Sequence, residues 1–444
     1  MMRADGMRTT FAIFVAAFFA SSAPLLAEDA APPESWSLHW QTTFVEQYHP
    51  AFRSAYRGAN SLDPGSRGNE TIDATLFAGL RLWQGGEVYA NPEIDQGFGL
   101  SNTLGLAGFA SGEAYKVGKP APYLRLQRLF FRQTFDLGGE NQTIDAGANQ
   151  LGGVRSADNL VITAGKISVG DVFDANGYAH DQRQDFLNWA VIDSGAFDYA
   201  ADAWGYSYGL TAELTEGGWT LRSGLFDLSR VPNSTQLQRG FGQFEVVGEI
   251  ERRSTLFGRE CKIKLLGYLN QGRMGRYDDA VQAAKRAGGV PDMAPVRRSA
   301  SKAGYGLNLE QPLSDSLGVF ARLSASDGSK EAYEFTEINW STVAGLSLKG
   351  SLWGRAQDTV GLALVYNGLS KPAQRYLAAG GMGILIGDGQ LTEYGAEKIA
   401  ELYYTAPMTG WLFVTGDYQF AANPAYNRAR GPVSILALRL HAAL

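Results

Sequence analysis

The sequence predicts an all-β fold: a transmembrane antiparallel β-barrel of about sixteen strands, with long external loops, one of them folded into the lumen. Three observations predict it. Apolar and polar residues alternate with a period of two through nearly the whole chain, connections alternate between short and long, and the polar face is too polar to be a packed interior.

Residues 1–27 come first and stand apart. Arg3 and Arg8 precede an uncharged apolar stretch from Thr9 to Leu26, and the small residue Ala27 precedes Glu28. This is the pattern of a secretory signal peptide, which leaves 28–444 as a single barrel domain. Within 28–444 no run approaches the roughly 18 apolar residues that a membrane helix needs.

Strands are expected near 35–46, 70–82, 87–95, 123–137, 159–167, 203–215, 218–227, 242–254, 260–271, 302–312, 316–326, 334–348, 358–367, 395–406, 410–421 and 431–444. Val88, Ala90, Pro92 and Ile94 alternate with Tyr89, Asn91, Glu93 and Asp95. Phe244, Val246 and Ile250 oppose Glu245, Glu249 and Glu251. Leu436, Leu438 and Leu440 alternate with Ala437, Arg439 and His441. Such alternation marks strands with one greasy and one wet face.

With both termini in the periplasm, joins after even-numbered strands should be short and joins after odd-numbered strands long. Gln84-Gly85-Gly86, Glu216-Gly217, Leu313-Ser314-Asp315 and Pro407-Met408-Thr409 fit the short class; 47–69, 96–122, 168–202, 272–301 and 368–394 fit the long one. Two joins break the pattern: 138–158 is too long and 327–333 too short.

A soluble sandwich would bury the apolar faces against a second sheet. Two features favour lipid instead: the polar faces suit a water-filled lumen, and Trp36, Trp204, Trp219, Trp340, Tyr404 and Tyr418 stand where interfacial aromatic girdles would. The final strand ends on Leu444, whereas outer-membrane barrels more often end on an aromatic.

Other classes are excluded or weakened. A net charge of −6 argues against nucleic acid as partner. The lone Cys261 permits no internal disulfide, and its parity matches the outward Ile263, Leu265 and Leu269. His39, His49, His180 and His441 are scattered, with no metal or nucleophile motif, so neither an enzyme nor a cofactor or metal is expected.

The fourth strand reads YLRLQRLFFRQTFDL, and its apolar parity changes between Leu126 and Leu129. A β-bulge near Gln127 reconciles the two halves. Arg125, Arg128, Arg132 and Asp136 then all face inward, either as a ladder of planar donors for hydroxyl pairs or as wall-stiffening partners of carboxylates. Glu93 and Asp95, on the neighbouring strand, would pair with it or tune pore selectivity. The third long connection carries Asp171, Asp174, Asn176, His180, Arg183, Trp189 and Asp202. Folded inward, it would line a channel with donors, acceptors and aromatic faces suited to sugars; folded outward, it is a solvated loop.

Several stretches resemble one family: NPEIDQGFGLSN, RLFFRQTFDLGG, GKISVGDVFDANGYAHD, DFLNWAVIDSGAFDYAADAWGYSYG, GLFDLSRVPN, GDGQLTEYGAEKIAELYY and DYQFAANPAYNRARGPVSILALRLHAAL. Together they look like the carbohydrate-selective outer-membrane porins of Gram-negative bacteria, the glucose-porin (OprB-like) type. The resemblance implies passive diffusion of monosaccharides into the periplasm through a constriction of arginines, acids and aromatics. Matched motif by motif, it points to Glu93, Asp95, Arg125, Arg128, Arg132, Asp171, Asp174 and Trp189. It also implies small carbohydrates as substrates, outer-membrane lipid and lipopolysaccharide as surroundings, the barrel-assembly machinery as partner, and a possible homotrimer. A general or anion-leaning porin and a surface glycan-active β-protein remain alternatives.

Overall fold

The structure, a computed structural model, describes residues 33–114 and 118–444. The signal-peptide reading of residues 1–27 therefore lies outside the described residues. Sixteen antiparallel strands form one closed barrel in which every strand pairs with its sequence neighbours and the last returns to the first. They are β1 (Trp36–His49), β2 (Arg67–Trp83), β3 (Gly86–Gly97), β4 (Lys119–Ile144), β5 (Gly153–Ile167), β6 (Ser207–Glu216), β7 (Trp219–Asp227) and β8 (Phe244–Leu256). The second half comprises β9 (Arg259–Met274), β10 (Arg298–Pro312), β11 (Leu317–Ser326), β12 (Trp340–Gly350), β13 (Arg355–Gly368), β14 (Glu397–Pro407), β15 (Leu412–Ala422) and β16 (Val433–Ala443).

Closure runs in register from Gln41↔Ala443 to Tyr48↔Leu436, and Trp40 and Leu444 exchange two backbone hydrogen bonds of 3.0 Å. In lipid an open edge would leave N–H and C=O groups unpaired at several kcal/mol each, so closure is what makes the apolar outer face tolerable. That face is the alternating set expected: Leu265, Leu364 and Leu436 are exposed, while Lys264, Val365 and Ile435 on the other parity are buried. Trp36, Trp83, Trp219, Trp353 and Trp411 are at least partly exposed at the end bearing the short turns, as an interfacial belt requires.

The short turns meet their local demands. Gly217-Gly218 and Phe257-Gly258 have positive φ at both positions, the backbone that two-residue hairpins need to match strand twist. The bulge falls where the parity change put it. Asn91 pairs with Arg128 and Pro92 with Leu126, which leaves Gln127 as the extra residue on β4. Opposite it, Pro92 has no N–H to donate, so the ladder loses little there.

Both irregular joins differ from their expected lengths. The join at 138–158 is shorter than expected because β4 runs on to Ile144 and β5 starts at Gly153, leaving a hairpin at 145–152. The join at 327–333 is longer, reaching 339, because 334–339 form no ladder and the strand starts only at Trp340. Cys261 keeps the outward parity but is buried, not lipid-facing.

The apolar core lies on the inner side of the wall. Phe186 of the β5–β6 connection meets Phe320 and Tyr403 with ring centroids 5.6 and 4.8 Å apart, and Phe197 meets Tyr268 at 5.1 Å. Among the described residues three α-helices interrupt the connections: α1 (Trp189–Ile192), α2 (Tyr277–Ala287) and α3 (Lys371–Ala378). α2 buries Tyr277, Ala280, Val281 and Ala284, the one-sided spacing of an amphipathic helix.

Candidate functional site

The β5–β6 connection, residues 168–206, is fastened to strands all around the barrel by side chains of the inward parity. Arg322 of β11 donates to the backbone oxygens of Val191 (2.6 Å), Ala179 (2.8 Å) and Asp174 (3.0 Å). Arg439 of β16 donates to those of Gln182 (2.6 Å), Asp185 (2.8 Å) and Gln184 (2.9 Å). Glu401 of β14 accepts from the Leu187 and Asn188 backbone amides. These partners satisfy a stretch of non-helical backbone that would otherwise be buried without hydrogen bonds.

Between this connection and the wall lies a cavity of about 370 Å³. Of the residues singled out by sequence, Arg128, Asp171, His180, Arg183 and Trp189 border it. Arg128 grips Asp171 through both guanidinium arms, Nε to Oδ2 at 2.7 Å and Nη2 to Oδ1 at 2.6 Å. Burial alone would push the Asp171 carboxyl up, but the Arg128 charge beside it overrides this and holds it below the usual range. The pair is thus ionised and rigid, presenting fixed charges to whatever enters.

Trp189 is the first residue of α1, positioned because Asn188 caps the helix by accepting from the Ala190 amide. Its ring lies 5.2 Å from Phe109 in a stacked arrangement and 4.8 Å from Phe335 at right angles. Its Nε1 is buried without a hydrogen-bond partner among the described residues. A donor left in that state is costly unless a ligand satisfies it.

The other expected residues stand one layer back. Arg125 donates to Asp202 at 3.2 Å and lies 3.4 Å above the Trp204 ring. Glu93 accepts from Thr75 and from the bulge residue Gln127, which also donates to Asp95. They meet the cavity border at Arg183, which stands among Asp73, Glu93 and Glu113 at 3.3–3.6 Å. Arg132 donates to the Asn149 backbone oxygen at 2.8 Å. Asp174 is buried against Ser194, Asn308 and Arg322, fastening the connection to the wall. Asn176, bonded to Asn308 at 2.7 Å, borders a separate cavity of about 460 Å³.

Sequence reasoning missed several neighbours. Trp204, expected in an outer girdle, instead borders the cavity: β6 starts only at Ser207, so Trp204 belongs to the connection. Phe109, Asp193, Tyr199, Tyr206 and Phe335 also line it. Burial raises the Asp193 carboxyl to about 6, with the nearby His180 partly opposing and Asp174 adding to the rise. The folded pKa exceeds the free value, so this group contributes stability below about pH 4 and loses it as pH rises through about 6. The same proton shifts the cavity charge by one: as pH falls through 6, the selectivity for cations over anions, measured by reversal potential, should decrease. Asp193→Asn should remove that step, and an unchanged profile would show that other acids cause it.

A closed sixteen-stranded barrel with apolar outer rows, an aromatic belt and polar cavities inside defines a membrane-spanning channel. A family model described as "Carbohydrate-selective porin, OprB family" matches residues 59–444, and the chain belongs to that family. It is a sugar-selective porin of the outer membrane. The fold is that of the high-pH structure of OprB from Pseudomonas putida, at 15% identity and a TM-score of 0.68, covering 92% of this chain and 94% of that one. The outer-membrane channel DcaP of Acinetobacter baumannii is more distant, at 8% identity and a TM-score of 0.50, covering 94% and 99%. No curated protein sequence matches the chain.

Proposed function

We propose that the β5–β6 connection is the constriction of this porin and that the 370 Å³ cavity beside it is the station where a single monosaccharide is held in passage. The observation that carries this reading is the pairing of a locked Arg128–Asp171 fork with the planes of Trp189, Trp204 and Tyr206 on one cavity. Charged and amide groups serve the equatorial hydroxyls, and aromatic faces serve the C–H face of a pyranose. Arg125 with Asp202, and Glu93 with Asp95, support the lining instead of touching the sugar, while Arg183 stands on the cavity border. His180 belongs to the passage, while Asp174 and Asn176 anchor the connection. Arg132 belongs to the periplasmic side.

Groups held in ion pairs suit binding and release more than proton transfer, so the work of the site is diffusion without catalysis. Residues 1–27 serve as the export signal, and the outer rows take lipid and lipopolysaccharide. The test is swelling of liposomes carrying the channel in isotonic sugars. Monosaccharides should enter much faster than disaccharides, and oligosaccharides hardly at all. Swelling set by solute mass alone would reduce the protein to a general porin.

A further inference from the structure

The hairpin between β4 and β5 is the one short-side connection that does not stay short, and its tip borders two cavities at once. Ala148 and Asn149 form a two-residue turn closed by reciprocal backbone bonds between Gly147 and Gln150, at 2.9 and 3.0 Å. Asn149 sits in the left-handed region at φ +57°.

Three side chains of the inward wall hold this tip. Arg132 donates to the Asn149 backbone oxygen at 2.8 Å, Asn91 donates to its Oδ1 at 2.8 Å, and the Leu151 amide donates to the Tyr89 hydroxyl at 3.1 Å. At the base, Glu34 accepts from the Gly152 amide at 2.8 Å. A loop merely trailing in the periplasm would not be bonded to residues of the lumen face.

Ala148, Asn149, Asp171 and His180 line both the 370 Å³ cavity and a second one of about 610 Å³. Those four residues therefore form the neck between the two. The second cavity is bordered by Arg132, Arg155, Glu213, Arg222, Arg253 and a set of amides and hydroxyls, and has little apolar lining. Arg155 Nε is buried there without a hydrogen-bond partner among the described residues.

We infer that this hairpin folds back under the barrel as a second narrowing on the periplasmic side, where Asn149 is a specificity-determining residue for the size of carbohydrate that leaves the constriction. The inference rests on the reading of the first cavity as the sugar station. With Oδ1 and its carbonyl held by the wall, Asn149 keeps its amide nitrogen for a hydroxyl of a sugar crossing the neck. A monosaccharide passes from the aromatic station into the polar chamber; a disaccharide must straddle the neck with both rings confined.

Two variants test it. Asn149→Gly keeps the left-handed backbone and removes the side chain, so the disaccharide-to-monosaccharide swelling ratio should rise several-fold; an unchanged ratio would overturn the inference. Ala148→Cys, made with Cys261→Ser, should react with a small cationic methanethiosulfonate, and each modification should cut single-channel current in a step. A cysteine that fails to react, or reacts without changing current, would also overturn it. If glucose still blocks the channel in either case, only the second narrowing fails. If glucose does not block the unmodified channel, the station itself fails.

Discussion

Replacing Arg322 by Ala is expected to raise single-channel conductance and erase sugar selectivity while the barrel still folds. Arg322 is 1% exposed and is the shared donor to three carbonyls of the β5–β6 connection, with Asp174 Oδ1 at 3.4 Å from its Nε. Removing one partner of a buried ion pair typically costs about 3–5 kcal/mol, most of it from the charge left behind. Here the loss falls on Asp174, which keeps Asn308 and Ser194 as donors, and on the Val191 and Ala179 carbonyls, so the connection has reason to leave its seat. The strands keep their ladder, because no β11 backbone bond depends on the guanidinium. Arg439→Ala should act in the same direction through Gln182, Gln184 and Asp185. Bilayer recordings check both, and native conductance in Arg322→Ala would mean that the connection holds without its clamp.

The second large effect is expected at Arg128. Arg128→Ala removes the fork that keeps Asp171 ionised, and burial then favours the protonated acid. One substitution thereby removes one charge of the fork and weakens the other. Hydrogen bonds to charged groups contribute about 1.5–3 kcal/mol, so the glucose concentration for half-block should rise by roughly ten- to a hundred-fold. Arg128→Lys should recover only part of this, since an ammonium cannot reproduce the two-armed grip. A half-block concentration unmoved in Arg128→Ala would remove this residue from the sugar's path.

The barrel was legible in the sequence because a lipid-facing strand writes its environment at every second residue. The bulge at Gln127 was legible for the same reason: an inserted residue shifts the apolar parity, and Leu126 and Leu129 record the shift. At strand ends the reading erred. Residues 334–339, read as the start of a strand, break the alternation at Phe335 and Ile338 and form no ladder: Phe335 faces Trp189, and Glu337 accepts the amides of Ile384, Leu385 and Ile386. Residues 138–144 and 153–158 lack strong apolar alternation yet pair, because β4 and β5 extend together past the short-turn ends of their neighbours.

The site was legible as residue types but not as roles. Arg128, Asp171 and Trp189 converge on one cavity, yet nothing in their spacing distinguishes them from Asp174, which is consumed in anchoring. Arg322 and Arg439 carried a usable sign: each is a charge flanked by apolar residues and set on the inward parity of its strand. Trp204 was misplaced because an aromatic near a strand end reads as a girdle residue whether it precedes or follows the first ladder bond.

The central claim is that this channel holds a sugar inside its constriction, and the unmodified protein in a planar bilayer tests it most directly. As glucose is raised on the long-loop side, the ion current should fall along a saturating curve. A current that follows only the bulk conductivity of the solution, without saturation, would contradict it.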